Sequence, residues 1–387
     1  MPIADSCTGV TQLPEIGETW TVLSTDESYE LVEFSHFNVF ASLESDEEHG
    51  VCRPPPPVPG HPAQLLSSSN QEYSVDQEIA DFFDKTSATR SACEVRAKEL
   101  VGGNVIPVAV QGVTVCSYWV HAGHNDDFVV QFRPKSLQLR TETTCLAQDI
   151  YGSLAPRPLC IYVVSRVRGI SHLDFVSAHN SPQNWPENFT WRKNLIADVA
   201  RFLALAWKTP QDIDQASLDG LCHRYEKELR LLLTSLPDRF HPIIQKSLDP
   251  MLVISSLPVV LLHKDFGTCN IMVDSGSCHL VGVIDWAEAE IGPFGLNMHS
   301  LQPLMSQFHL KNGWVRYDDY DILGETFWHN FSEEVGGLGE EEIRTIKSAR
   351  VVGLLLSSGF TSRLANMPKP VPIRDDESGA YGMRDLD

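Results

Sequence analysis

Three side chains that together could perform phosphoryl transfer lie within a short stretch of the sequence: Asp265, Asn270 and Asp285. Asp265 lies in the run LLHKDFGTCNIMVD, Asn270 follows it, and Asp285 ends the apolar run LVGVI. Phosphoryl transfer needs a carboxylate that orients the acceptor hydroxyl and takes its proton, and oxygen ligands that hold Mg2+ against the phosphates. In this order, the residues predict Asp265 as the base and Asn270 with Asp285 as the metal ligands.

His263 precedes Asp265 by two positions. We predict that this histidine is structural and supports the loop from within. The alternative interpretation of the whole segment is that Asp265 and Asn270 are ordinary turn residues and that His263 is a satisfied buried histidine. Apolar runs on both sides of the loop, each typical of a short buried strand, favour the catalytic interpretation.

The elements that must position these residues follow a simple order. Two helical patterns come first, and then three strand-like runs at Val105–Gln111, Ser117–Ala122 and Phe128–Arg133. A buried-type strand is predicted at residues 161–167. Helical patterns dominate beyond it, and the clearest runs from Trp191 to Trp207 with an apolar stripe at helical spacing.

The segment HKDFGTCNIMVD…GVIDWAEAEIGPFGLN resembles the catalytic segment of the aminoglycoside phosphotransferase family, within the protein-kinase-like superfamily. The runs VVQFR, YGSLAPRP and DWAEAEIGPFG are similar to the fungal branch of that family. The resemblance covers roughly residues 100–300 and extends to about 360. It implies an α+β, bilobal protein-kinase-like fold with a small β-rich N-lobe and a larger helical C-lobe. It also implies Mg2+ as cofactor and ATP as phosphoryl donor.

The resemblance and the composition together predict four segments. Residues 1–72 are expected to form an acidic, proline-rich, partly ordered extension. Many residues there are acidic, only Arg53 is basic, and a polyproline run follows. Residues 73–167 are expected to form the N-lobe and residues 168–367 the C-lobe with the catalytic loop and acceptor site. Residues 368–387 are expected to be a flexible tail.

A kinase N-lobe also needs a cation on its third strand and an acid on the following helix. Arg133 ends the run FVVQFR, where kinases usually carry lysine, and Glu142 follows on a predicted helix. An arginine can hold phosphate oxygens with a bidentate fork, so Arg133 and Glu142 are predicted to bind the nucleotide. The alternative is an ordinary surface ion pair.

The remaining nucleotide contacts are predicted from position. The loop that should cover the phosphates is Gly112–Ser117, which has one glycine, and Ser117 could offer its amide or hydroxyl to the β-phosphate. A plain hairpin turn is the equal alternative. Ser165 and Val167, on the connecting strand, are predicted to meet the adenine.

Some residues depart from the family pattern. Lys264 stands where the bacterial pattern usually has glycine, so its charged side chain must point away from the base or touch phosphate. Phe294 to Asn297 replace a DPxxD-like stretch, which bears on how the loop is braced. Glu288 and Glu290 follow Asp285 and are expected to face solvent, with the acceptor site as the alternative.

The overall composition narrows the class of partner. A net charge of −21 argues against nucleic acid or an anionic membrane surface as a general partner. Nine cysteines without a CxxC pair favour free thiols in a reducing compartment. The start MPIADSCTGV lacks the pattern of a signal peptide, so a cytoplasmic protein is expected. No pattern bears on the oligomeric state.

The leading hypothesis is therefore an ATP- and Mg-dependent phosphotransferase that acts on a hydroxyl of a small molecule, with Asp265 as base. The first alternative is a catalytically silent kinase-fold protein that binds nucleotide or a partner. The second is a protein kinase, which the short distance between Asp285 and the following helices disfavours.

Overall fold

The computed structural model describes residues 74–84, 86, 88–108, 111, 115–121, 127–133, 140–160, 163–179, 186–249, 251–309, 312–361 and 370–386. The predicted extension at residues 1–72 lies outside these residues, as do Gly112 and the two positions after it. What the sequence indicates for those positions stays a prediction.

Groups of short strands alternate with helices along the described residues. In chain order, the helices are α1 Val75–Asp84, α2 Arg90–Val101, α3 Thr141–Tyr151, α4 His172–His179, α5 Pro186–Lys208, α6 Gln215–Ser235, α7 His241–Leu248, α8 Met251–Ile254, α9 Gln302–Met305, α10 Tyr320–Glu334, α11 Glu340–Ser358 and α12 Ala380–Leu386. The strands are β1 Asn104–Pro107, β2 Cys116–His121, β3 Asp127–Phe132, β4 Pro158–Cys160, β5 Val163–Ser165, β6 Ile170–Ser171, β7 Val259–Leu262, β8 Ile271–Val273, β9 Leu280–Val283, β10 Glu290–Pro293, β11 Ser306–His309 and β12 Gly313–Arg316.

A five-stranded antiparallel sheet forms the first part of the described chain. Its strands lie in the order β1-β2-β3-β5-β4. Helices α1 and α2 pack against it through small clusters of buried side chains, which include Ile79, Phe82, Cys93 and Ala97 from the helices and Tyr118, Val120 and Val130 from the strands. The three strands expected in this region are present, but β1 ends at Pro107, short of Gln111.

The connecting strand expected at residues 161–167 is present but shorter, as β5 Val163–Ser165, which pairs with β3. A further short strand, β4, precedes it and was not predicted. β4 and β5 are antiparallel neighbours, and Cys160 is paired with Val163. Val167 lies beyond β5, in the segment that leads to β6.

The second part of the described chain is mainly helical and contains the large core. The predicted helix from Trp191 to Trp207 is confirmed as part of α5, and Leu195, Val199 and Phe202 on its stripe are buried. α5 begins at Pro186, a position where proline costs no helix hydrogen bond. These helices support the short strands on either side of the predicted catalytic loop.

Two small sheets place the predicted catalytic segment on these helices. β7 pairs with β10, and all four residues of β7 are buried. β8 pairs with β9 and with β6. The loop that contains Asp265 and Asn270 therefore connects β7 to β8, and Asp285 follows β9.

The end of the chain differs from the expectation of a flexible tail. Residues 370–386 pack on the helical part: Met383 of α12 is buried, Tyr381 contacts the ring of Phe308, and Trp314 donates a hydrogen bond of 2.7 Å to Asp385. The prediction is wrong for these residues, because the polar sequence hides an apolar face that has a partner. Among the helices of the described residues, none is long and apolar enough to span a membrane.

Candidate functional site

The loop after β7 brings Asp265 and Asn270 together through local hydrogen bonds. The Gly267 amide donates to the Asp265 carbonyl at 2.9 Å, and the Asn270 amide donates to the Gly267 carbonyl at 2.9 Å. This tight turn reverses the chain between the two residues. Their side chains therefore lie on the same side of the loop.

The side chain of Asn270 fixes the carboxylate of Asp265. Its Nδ2 donates to the Asp265 carbonyl oxygen at 2.9 Å and to Asp265 Oδ2 at 2.8 Å. Since the amide nitrogen is used in this way, the opposite Oδ1 atom of Asn270 points away from Asp265. An amide oxygen in that position is a suitable ligand for a hard cation.

Asp285 reaches the same place through the backbone that precedes it. The Ile284 amide donates to the Asn270 carbonyl at 2.9 Å, and His263 Nε2 donates to the Ile284 carbonyl at 2.9 Å. Asp285 itself has φ 60°, in the left-handed region that non-glycine residues seldom occupy. Backbone strain of this kind is common at functional sites, where the surrounding structure holds a side chain in a required direction.

His263 connects the two ends of this arrangement. It is 2% exposed, and its ring packs edge-to-face on Trp286 with 4.7 Å between ring centroids. Burial lowers the pKa of His263, and this outweighs the opposing effect of the nearby Asp265 and Asp285 carboxylates. A neutral imidazole that donates to Ile284 is a structural brace, as the sequence hypothesis has it.

Arg133 comes from the other part of the molecule and contacts Asp285. Its Nη2 donates to Asp285 Oδ1 at 2.8 Å and to Gln131 Oε1 at 3.3 Å. The side chain of Arg133 is 7% exposed and that of Asp285 is 34% exposed. The predicted pair of Arg133 with Glu142 is not formed, because Glu142 is exposed in the first turn of α3 while the guanidinium turns towards Asp285.

Ser117 is not positioned to offer its amide to a phosphate in this structure. The Ser117 amide donates to Gln111 Oε1 at 2.8 Å, and Gln111 Nε2 donates back to the Ser117 carbonyl at 3.0 Å. The side chain of Gln111 thereby extends the pairing of β1 and β2 beyond the end of β1. Ser117 Oγ accepts from Gln131 Nε2 at 3.5 Å and is buried.

Gln111 and Gln131 were missed by the sequence reasoning. Each is a polar residue that follows or interrupts an apolar strand run, PVAVQG and FVVQFR. A glutamine at such a position needs partners when buried. That signal could have identified both residues as parts of a polar network leading to Arg133.

Ser165 and Val167 lie between the two parts of the molecule. Ser165 uses its amide and its hydroxyl on Arg157: its amide donates to the Arg157 carbonyl at 2.8 Å, and its Oγ accepts from the Arg157 amide at 2.7 Å. Val167 packs on Gly282 of β9 so closely that a Cβ there would lie 2.6 Å from Val167 Cγ1. The proposed contacts of both residues with adenine remain predictions.

Lys264 points away from Asp265, towards β10. Its Nζ donates to Glu290 Oε1 at 2.9 Å, and Arg224 Nη2 contacts Glu290 Oε2 at 3.3 Å. Burial alone would raise the pKa of Glu290, but the charges of Lys264 and Arg224 outweigh it and lower that pKa. The expectation that Glu290 faces solvent is wrong, because two cations hold it; Glu288 is exposed, as expected.

Phe294 and Asn297 occupy the stretch that departs from the family pattern. Phe294 is buried and stacks on Phe331 with 5.3 Å between centroids. Asn297 is 6% exposed, and its Oδ1 atom is buried without a hydrogen-bond partner among the described residues. Asn297 lines a small cavity together with Lys264 and Glu290.

Comparisons with known proteins add three findings. Residues 109–296 match the model of the phosphotransferase enzyme family. Among solved structures, a GDP complex of an aminoglycoside 2′-phosphotransferase-IIIa mutant superposes with a TM-score of 0.50 at 14% identity, over 76% of this chain and 94% of that one. No significant match was found among curated proteins.

Two further solved structures have TM-scores below 0.50. An ethanolamine kinase of Plasmodium vivax has a TM-score of 0.47 at 13% identity, over 84% of this chain and 95% of that one. A ternary complex of streptomycin, ATP and APH(2″)-IIa has a TM-score of 0.46 at 15% identity, over 77% of this chain and 96% of that one.

The family match and the fold agree with the expectations from sequence. The mixed helix and sheet architecture is the predicted kinase-like fold, which the superposition with a score of 0.50 supports. The similarity to a fungal branch stays a prediction. Residues 109–296 of this chain are therefore similar to the phosphotransferase enzyme family.

Proposed function

We propose that the protein transfers a phosphoryl group from a nucleoside triphosphate, with ATP as the expected donor, to a hydroxyl of a small molecule. The observation that supports this most strongly is the hydrogen-bonded arrangement of Asp265, Asn270 and Asp285, with Arg133 contacting it from the small sheet. Phosphoryl transfer depends mainly on positioning and charge neutralisation, and this set supplies both.

Asp265 is the proposed base. Its carboxylate is oriented by the amide of Asn270, which donates to Oδ2 at 2.8 Å. Oδ1 is the atom proposed to accept the proton of the acceptor hydroxyl as that hydroxyl attacks the γ-phosphorus. A charge-assisted hydrogen bond from Asn270 keeps the carboxylate in a single orientation.

Asn270 and Asp285 are the proposed Mg2+ ligands. The donor set fits this cation, because an amide oxygen and a carboxylate are hard oxygen ligands, and because Asp285 Oδ1 already holds a cationic group, the guanidinium of Arg133. When bound, Mg2+ would neutralise charge on the phosphates. Arg133 is proposed to hold phosphate oxygens, for which its planar fork is suited.

The experiment is Mg2+-dependent ADP release by the full chain with a panel of sugars, amino alcohols and other hydroxyl compounds. Wild type should turn over at least one compound, and Asp265→Asn should reduce its kcat on the order of 10²–10⁴-fold while ADP still binds. Asp219→Asn, which changes an exposed carboxylate of α6, is a matched control that should keep its activity. Absence of turnover with every compound, together with unaltered ATP binding in Asp285→Ala, would contradict the proposal.

A nucleotide-binding protein without turnover is the second candidate. Two observations favour it: the Ser117 amide is already bonded to Gln111, and Glu142 is exposed rather than paired with Arg133. On this alternative, ATP binds in a Mg2+-dependent manner and no hydroxyl compound increases ADP release. The same panel distinguishes the two candidates.

A further inference from the structure

Two cations compete for the carboxylate of Asp285: the guanidinium of Arg133 and the proposed Mg2+. Arg133 Nη2 lies 2.8 Å from Asp285 Oδ1, and Asp285 is a proposed Mg2+ ligand. A guanidinium and a metal ion repel each other, so each weakens the binding of the other to that oxygen at short range. A phosphate group, in contrast, competes with Asp285 for the same guanidinium.

The surroundings of Arg133 indicate that it has two alternative positions. Its side chain is 7% exposed, yet its Nε is buried without a hydrogen-bond partner among the described residues. Gln131, the other partner of Nη2, is at the long distance of 3.3 Å. A buried guanidinium with an unused donor is incompletely satisfied, and it gains by meeting an anion that offers several oxygens.

We propose that the Arg133–Asp285 ion pair is a latch that closes the metal site of the nucleotide-free protein and that phosphates of the nucleotide open it. Arg133 then moves from Asp285 to the phosphate oxygens, and the carboxylate of Asp285 becomes available to the metal. The consequence is an order of binding: the divalent cation binds weakly alone and tightly with nucleotide. This inference rests on the proposed function, because it uses the same metal and nucleotide sites.

The first test measures Mn2+ binding to the nucleotide-free full chain by electron paramagnetic resonance of free Mn2+. Arg133→Gln removes the latch and should increase the affinity for Mn2+ by about tenfold. Lys264→Gln is the matched control, since Lys264 is a cation beside Asp265 that bonds to Glu290 and does not contact Asp285. An unchanged affinity in Arg133→Gln, or an equal increase in both variants, overturns the latch.

The second test changes Asp285 instead of Arg133, so it can be carried out even if Arg133→Gln does not fold. Asp285→Asn frees Arg133, so the affinity for ADP in the presence of EDTA should increase by about tenfold. Asp265→Asn is the charge-matched control, because it removes a carboxylate of the same site that Arg133 does not contact in this structure. Equal affinities of wild type and Asp285→Asn, or equal gains in both variants, overturn the proposal.

The outcomes also separate this inference from the proposed function. If wild type binds no ADP even with Mn2+, the proposed function fails and the latch fails with it. If wild type binds Mn2+ and ADP together but the two variants match their controls, only the latch is overturned. Reciprocal gains, of Mn2+ affinity in Arg133→Gln and of metal-free ADP affinity in Asp285→Asn, support the latch, because coupling between two sites is reciprocal.

Discussion

The loop from His263 to Asn270 is held by bonds between neighbours, whereas Arg133 reaches the site from a distant part of the chain. Asn270 and Asp265 are five positions apart, while Arg133 and Asp285 are separated by 152 positions. The first arrangement forms as soon as the loop folds between β7 and β8. The second requires the small sheet and the helical part to meet. We therefore expect the loop side to be rigid and the sheet side to respond to ligands.

The largest effect is expected from a substitution in the loop from His263 to Asn270. Asn270→Leu removes both hydrogen bonds to Asp265 and the proposed metal ligand, so Mg2+-dependent ADP release should fall about a thousandfold. Asn194→Leu is the control, since Asn194 also donates to a carbonyl, that of Ser277 at 3.0 Å, but lies outside the loop. Retention of more than a tenth of the activity in Asn270→Leu would contradict the proposed role.

The pH dependence of the free energy of unfolding tests the buried surroundings of the same loop. His172 begins α4, next to Leu173, whose amide donates to Thr268 of the loop, and burial lowers the pKa of His172 to about 4. Because the unfolded state binds the proton more readily, this group stabilises the fold above pH 6.5 and loses that stabilisation as the pH falls. The free energy of unfolding should drop by about 2 kcal/mol between pH 7.5 and 5 from His172 alone.

Urea unfolding at the two pH values measures this loss. His172→Leu should remove about 2 kcal/mol of the pH dependence. His329→Leu, which changes an exposed histidine of α10, should leave the dependence unchanged. Equal pH dependence in wild type and His172→Leu would show that His172 is not buried in its neutral form.

The segment between the two parts of the molecule is tested by adding one carbon. In Gly282→Ala, the new Cβ would lie 2.6 Å from Val167 Cγ1 and 3.0 Å from the Leu154 carbonyl oxygen. Overpacking of this kind should lower the free energy of unfolding by about 1–3 kcal/mol and weaken ADP binding if Val167 meets the adenine. Gly324→Ala, in α10 with no atom near its Cβ position, should instead stabilise the protein slightly.

Thermal unfolding and ADP titration of the two alanine variants decide this point. A Gly282→Ala protein as stable as wild type would mean that Val167 moves aside without cost. A destabilised protein with unchanged ADP affinity would remove Val167 from the proposed adenine site.

The smallest expected effect concerns the sheet side. Glu142 is exposed and does not pair with Arg133, so Glu142→Gln should change the affinity for ADP with Mg2+ by no more than about twofold. Calorimetric titration measures this affinity. A loss of tenfold or more would show that Glu142 pairs with Arg133 once nucleotide is bound, as the sequence hypothesis has it.

The sequence predicts the two sides of the site unequally, for a physical reason. Asp265 and Asn270 are close because a turn of a few residues joins them. Asp285 follows β9, which pairs with β8, the strand that begins directly after Asn270, so spacing alone indicates their proximity. The partners of Arg133 and Ser117 depend on which long-range contacts form, and residue types alone do not rank Asp285 above Glu142.

The fold shows the same division. The long apolar stripe of α5 was predictable, since its period is that of a helix. The docking of α12 was not, because one buried methionine, one ring contact and one hydrogen bond give no periodic signal in a polar segment. β4 was not predicted either, because a strand of three residues is too short to show an alternating pattern.

The most direct test of the central claim is a crystal structure of the full chain with ADP and Mn2+, using the anomalous signal of the metal. The account predicts a peak between Asn270 Oδ1 and the carboxylate of Asp285, with Arg133 on phosphate oxygens and Asp265 facing the open end of the site. A metal peak away from Asn270 and Asp285, or Arg133 still bonded to Asp285 with the nucleotide in place, would contradict it.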